Sequence, residues 1–241
     1  MPLSALSCQV NPANTHDLQM KILYPIVAAD VALFTVHKDA LSVLLVQRDN
    51  EPQTNAWALP GALLKPETDL SLEHTARRAL ASKTRVEIPH LGQVSVFSGL
   101  DRDSRGYSLG VLFYALLPTD QAPAVAGAKA KDVAWSAVSN LKRPLAFDHR
   151  KMIDLATARL RQKVERLVLP LHLLPEKFTL SQLQRVCEIV LDKRFDKSSF
   201  RRRLKSEETF MEVSGEFERG ANRPAQLYRA VPGFRFDSDA E

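Results

Sequence analysis

The chain has 241 residues, 45% of them apolar and 25% charged, with a formal net charge of +5. That balance belongs to an ordinary globular protein able to bury its own core, and the length suits two domains of roughly 100–150 residues each. It speaks against a low-complexity or disulfide-stapled chain: no repeat appears, and Cys8 and Cys187 lie far apart with no Cys or His at zinc spacing. No apolar stretch reaches the about 20 residues of a membrane span, and the first twenty residues lack a basic segment followed by an apolar run. No membrane partner and a cytoplasmic location are therefore expected. The positive charge is compatible with a polyanionic partner, but it bears on association rather than on fold.

A polar tail over 1–22 comes first. The runs Ile26 to Val36 and Leu41 to Val46 are β-branched and apolar, and only His37-Lys38-Asp39-Ala40 separates them, which is the pattern of a hairpin. Ser71 stands before Leu72, Ala76 and Leu80 at helical spacing, so a serine-capped helix is predicted over 72–84. Strands are expected at Gly92 to Ser98, Tyr107 to Leu117 and Asp132 to Trp135, making the first domain, 23–147, a mixed-sheet α/β (α+β) sandwich. Asp148 is a candidate cap for a helix with Ile153, Ala156, Leu160, Val164 and Leu167 along one face, closed off by Pro170 and Pro175. That helix, 148–168, reads as a connector. Thr179-Leu180-Ser181-Gln182 has the form of a capping box, and Leu180, Leu183, Val186, Cys187, Val190 and Leu191 make one apolar stripe. Asp196 then caps a shorter helix with Phe200 and Leu204, and Met211 to Val213 and Gln226 to Arg229 read as two strands. Helix, turn, helix and hairpin in that order describe a winged helix-turn-helix domain over 169–236, ahead of a short tail at 237–241.

Between Lys193 and Lys205 lie seven basic side chains, opposed only by Asp196. At about 100° per residue, Phe200 and Leu204 point one way while Ser198, Arg201, Arg202 and Lys205 gather on the other. A basic run alone usually marks a solvated face. Here the capped helix before it, and the following hairpin with Arg219, Asn222 and Arg223 at its tip, turn the reading toward double-stranded DNA. Arginine forks take guanine O6 and N7 in pairs, while lysine and serine hold phosphate oxygens. The candidate DNA contacts are Lys197, Ser198, Ser199, Arg201, Arg202, Lys205 and, at the wing tip, Arg223.

Val43-Leu44-Leu45-Val46-Gln47-Arg48 ahead of Trp57-Ala58-Leu59-Pro60-Gly61, followed by the 72–84 helix, resembles the approach to a Nudix box and the box itself. Arg78, Leu80 and Val86 fit its arginine and aliphatic positions. Ala79, Ser82, Lys83 and Arg85 stand where three glutamates and a glycine belong, the loop after Gly61 is lengthened, and Glu67 and Glu73 are out of register. Magnesium is a hard cation held by carboxylates, and pyrophosphate hydrolysis uses it to neutralise charge and activate water. These replacements therefore predict that catalysis is lost, with no metal and no catalytic residue.

Downstream, Asp101 to Gly106, Leu145 to His149, Asp196 to Arg202 and Arg223 to Arg229 extend the similarity across about residues 24 to 231. In this form the chain resembles the Nudix-related transcriptional regulators (NrtR type) of bacterial NAD metabolism. The resemblance implies a homodimer whose Nudix-like domains bind an effector, ADP-ribose or a related nucleotide, and whose winged helices bind a palindromic operator. It implies a repressor, and no cofactor beyond the effector. Arg48, Arg102 and Arg105 are candidate diphosphate partners by fork chemistry, Asp103 can accept from a ribose hydroxyl, and Phe147 is placed with them. Two other readings remain open: an active Nudix pyrophosphatase with a basic appendage, and a regulator answering to a sugar or another nucleotide.

Overall fold

A computed structural model describes residues 24–86, 88, 90–121, 130–166, 168–206, 208–218 and 224–236. The first hairpin is β1 (Ile26–His37) and β2 (Ala40–Gln47), turning through Lys38 and Asp39 with φ of 50° and 58°. Two left-handed residues make the tight turn whose twist matches the flanking strands. Short strands β3 (Trp57–Ala58) and β4 (Gly61–Leu63) follow, then helix α1 (Leu72–Thr84), whose cap Ser71 accepts from the His74 N–H. Strands β5 (Gly92–Gly99), β6 (Ser108–Leu116) and β7 (Asp132–Ala137) complete a seven-stranded sheet. Its path runs β3-β2-β1-β6-β5, with β4 beside the first half of β1 and β7 beside β2. Among the described strands, β1 and β6 alone pair in parallel. The sheet is thus mixed, as its strand order predicts.

Alternation along β1 sends Ala29, Val31 and Leu33 to one face with Ala76 and Leu80 of α1, and Ala32 and Phe34 to the other. That second face is covered by α2 (His149–Glu165) through Met152, Ile153 and Ala156. Full burial of such a side chain contributes about 1.5–3 kcal/mol, so α2 is a main layer of the first domain. It does more than connect. Its stripe continues through Leu160 and Val164 into the second domain, because a helix of this length has turns enough for two partners. Leu167 of the expected stripe lies outside the described residues.

The second domain contains α3 (Leu180–Leu191), α4 (Lys197–Arg203), β8 (Phe210–Glu218) and β9 (Ala225–Ala230). Thr179 and Gln182 form the full reciprocal capping box. Phe178 and Tyr228 exchange backbone hydrogen bonds at 2.9 and 2.8 Å, adding a one-residue bridge to the β8–β9 hairpin. One apolar cluster joins the domains, from Phe34 and Tyr114 through Leu160 to Leu183, Val190 and Phe200. Arg161 of α2 donates to the Val190 carbonyl at 2.9 Å, and Arg185 of α3 pairs with Asp39 of the hairpin turn at 3.1 Å. Among the described residues, no helix is long and apolar enough to cross a membrane.

Candidate functional site

The first domain holds a cleft of about 240 Å3 between β1, β4 and the loops after β2 and β5. Arg48, Arg102, Asp103, Arg105 and Phe147, named from sequence at scattered positions, all line it. The strand order explains the meeting: β1 lies between β4 and β6, so the ends of β2 and β5 converge on the same rim.

Arg48 donates through Nε to the Pro52 carbonyl at 3.0 Å and through Nη2 to that of Asn50 at 3.3 Å, and its guanidinium lies 4.8 Å from the Phe147 ring centre. Phe147 adopts a left-handed φ of 52°, and its N–H donates to Gln53 Oε1 at 3.0 Å. Arg105 forks onto Asp103 at 3.0 and 2.7 Å, and Asp103 also accepts the Arg105 backbone N–H at 3.0 Å. These bonds hold the Asp103 carboxyl below the usual range. Burial, followed by the neighbouring charge of Arg105, lowers the pKa of Arg48. A guanidinium carries five N–H donors, so Arg48 and Arg105 each keep donors for an anion. Two adjacent cations at a cleft mouth suit a diphosphate.

Two of the expected effector partners are also engaged with the protein itself. Arg102 forks onto Asp148 at 2.7 and 2.9 Å and donates to Phe97 O and Ser108 Oγ at 3.1 and 3.4 Å. Its guanidinium is engaged on three sides, so Arg102 braces the cleft wall that it lines. Asp148 sits at the α2 N-cap position without a side-chain cap bond, because its carboxylate has gone to Arg102. Burial pushes the Asp148 pKa up, and the guanidinium more than offsets this, leaving it lowered. Asp103, likewise, first orients Arg105 and only then has an oxygen to offer a ribose.

Asp30 and His149 were not anticipated. Both are buried at the cleft; the Leu59 N–H donates to His149 Nδ1 at 2.9 Å, and Nε2 lies 3.7 Å from Asp30 Oδ1. An accepting Nδ1 assigns the ring proton to Nε2, facing the carboxylate. Burial raises the Asp30 pKa and lowers that of His149, each against the pull of the other. A methyl built on Gly61 would overlap Asp30 Oδ1, so this glycine is required by contact. The available signal was a lone carboxylate inside the otherwise apolar run Ile26 to Val36.

The degenerate box also resolves into parts. Arg78 forks onto Asp69 at 2.8 and 2.5 Å and reaches the Leu63 carbonyl at 2.9 Å, tying α1 to β4. Glu73 pairs with Arg77 on the helix surface at 2.9 Å, and neither it nor the exposed Glu67 lines the cleft. Lys83 does line it. Magnesium needs several hard oxygen ligands. Among the described residues no three His, Cys, Asp or Glu side chains gather to share a metal, and the box positions carry Ala79, Ser82 and Lys83, so the residues present do not fit that ion.

In the second domain Phe200 and Leu204 are buried while Lys197, Ser198, Arg201, Arg202 and Lys205 are exposed, the two-faced arrangement expected of α4. Lys205 lies on a single 3-10 turn that prolongs the short helix. Ser199 is exposed too, and its N–H donates to the capping Asp196 at 2.8 Å. Arg219, Asn222 and Arg223 lie outside the described residues. Sequence reasoning missed Glu188, which is buried and accepts from the Phe195 N–H, Gln184 and Arg194, each at 3.0 Å. It sets the α3–α4 turn and with it the pose of α4. It also missed the wing base, where Tyr228 donates to Glu212 at 3.2 Å within the field of Arg201.

Residues 25–156 match the NUDIX domain family and residues 170–230 the NrtR DNA-binding winged helix domain. The first match ends within α2, in keeping with the packing of that helix on the sheet. The chain is 38% identical over 206 residues to the ADPR responsive transcriptional repressor NtrR of Acinetobacter baylyi, covering 85% of this chain and 82% of the relative. The crystal structure of Shewanella oneidensis NrtR complexed with a 27mer DNA matches with a TM-score of 0.76 at 38% identity, over 86% of this chain and 94% of that one. The cocrystal structure of the NUDIX domain of the same protein with ADP ribose matches with a TM-score of 0.55 at 39% identity, over 59% and 92%.

Proposed function

The chain belongs to the NrtR family of Nudix-related regulators, and from that membership we propose that it is a transcriptional repressor that senses ADP-ribose or an NAD-related nucleotide. The observation that carries this reading is the pair of cations, Arg48 and Arg105, that share one cleft and keep donors for a ligand. The relatives support it, one named for its response to ADPR and another crystallised with a 27mer DNA and, as its NUDIX domain, separately with ADP ribose. The Nudix domain has given up hydrolysis, since Ala79, Ser82 and Lys83 occupy its carboxylate positions.

Lys197, Arg201 and Arg202 meet DNA from α4 and Lys205 from the turn that prolongs it, with Ser198 on the phosphates. The working form is a homodimer on a palindromic operator, because two recognition helices related by a two-fold axis meet half-sites one helical turn apart. Its targets are genes of NAD metabolism and its place is the cytoplasm. Coupling runs through α2, whose first residue His149 lines the cleft and whose Arg161 holds α3. A ligand shifts DNA affinity only if it binds the DNA-competent and DNA-incompetent forms unequally.

A thermal-shift panel of ADP-ribose, NAD, nucleotides and pentose phosphates tests the sensor. A true ligand stabilises by about 2.7 kcal/mol at 100 times its Kd. ADP-ribose is expected to raise Tm and to change the affinity for a palindromic upstream fragment. Magnesium-dependent turnover of ADP-ribose would show an enzyme instead, and a response confined to a pentose phosphate would assign another pathway.

A further inference from the structure

Ala79, Ser82 and Lys83 stand three and four residues apart on α1, so they share one helix face. Ala79 is fully buried, and the Ser82 hydroxyl donates to the Ala79 carbonyl at 3.3 Å. Lys83 is the member of this face that reaches the cleft, which it lines together with Asp30, Arg48 and Arg105. It lies close enough to Asp30 to draw down a carboxyl that burial otherwise raises.

We propose that the Lys83 ammonium takes the electrostatic place of a divalent cation, holding the diphosphate of a nucleoside diphosphate sugar directly, so that effector binding needs no metal. This rests on the effector reading above. A helix face of carboxylates repels a diphosphate until a metal ion intervenes; a lysine on that face attracts the diphosphate and repels the metal. Lysine suits the task because its ammonium is a compact charge with three donors on a flexible stem. With Arg48 and Arg105 it supplies three cations around the anion. The buried Asp30 lines the same cleft and lies within the field of this ammonium.

The test is calorimetric titration of the full chain with ADP-ribose and, separately, with inorganic pyrophosphate, each in EDTA and in magnesium. Equal affinity in both buffers is expected for the wild-type chain. Lys83→Met should bind both probes roughly 10- to 100-fold more weakly, the fold-change of a lost hydrogen bond to a charged group, and Lys83→Arg should recover most of it. Lys83→Glu should abolish binding in EDTA. Thermal unfolding of each variant without ligand establishes that it is folded. A wild-type chain that binds only with magnesium, or a folded Lys83→Met with unchanged affinity, overturns the proposal and leaves the effector reading standing. Binding of pyrophosphate but not ADP-ribose, lost in Lys83→Met, does the reverse. Binding of neither probe overturns both.

Discussion

Arginine is used in two ways in this molecule. In the cleft, Arg102 and Arg105 are each clasped by a carboxylate through paired bonds of 2.7 to 3.0 Å, and Arg48 is held by two carbonyls. On α4, Arg201 and Arg202 are exposed, with no hydrogen bond or ion pair to another described residue. The clasped set has lost its rotamer freedom on folding, which suits recognition of one small ligand of fixed geometry. The open set keeps that freedom and its full long-range field, which suits a long polyanion whose exact register is found on contact. In the proposed regulator the same side chain would thus serve selectivity in one domain and capture in the other.

The sharpest way to break this contrast is to remove the open set. Arg201→Ala/Arg202→Ala should weaken operator binding by about 2–6 kcal/mol in all if each contacts a base, read by fluorescence anisotropy, with ADP-ribose affinity unchanged. Unaltered operator affinity would remove α4 from the interface. Next is the clasp itself: Arg102→Met leaves Asp148 largely buried and unpaired, which should cost on the order of 3 kcal/mol in urea unfolding. The companion Arg102→Met/Asp148→Asn should cost less than the two single changes summed; simple additivity would show that the pair does not act as one brace.

The smallest effect is set by pH. His149 is held neutral, with its pKa below the ordinary 6.5. The unfolded chain therefore takes up this proton first. The associated stability is present above pH 6.5 and lost as pH falls from 6.5 toward the lowered folded value, at about 1.4 kcal/mol for each tenfold difference in proton affinity between the two states. Asp30 acts in the opposite sense: its raised pKa adds stability below 3.8 that is lost as pH rises through the folded value. Tm measured from pH 7.5 to 5.5 should fall for the wild-type chain and flatten in His149→Gln, and parallel slopes would exclude His149 as the group responsible.

Secondary structure was legible where a local rule governs it. The Ser71 cap, the Thr179–Gln182 box and the Asp196 cap all appear, because a cap is settled among four neighbouring residues. Asp148 shows the limit of that rule. Its composition and position announce a cap, yet Arg102, 46 residues away, competes for the same carboxylate and prevails with a paired, charge-assisted bond. Asp30 and Glu188 were missed because a buried carboxylate has no periodic signature; only its partners explain it.

By itself the sequence determined the alternation that builds the sheet, the 3.6-residue stripes of α1 to α3 and the two-faced composition of α4. These depend on residues near one another along the chain. Tertiary structure alone decided which cations stay open to an anion and which are engaged by the wall, that α2 is a layer of the first domain as well as a bridge to the second, and that Lys83 faces the cleft. Each of those is a competition between partners distant in sequence, settled only when the sheet brings them within bonding distance.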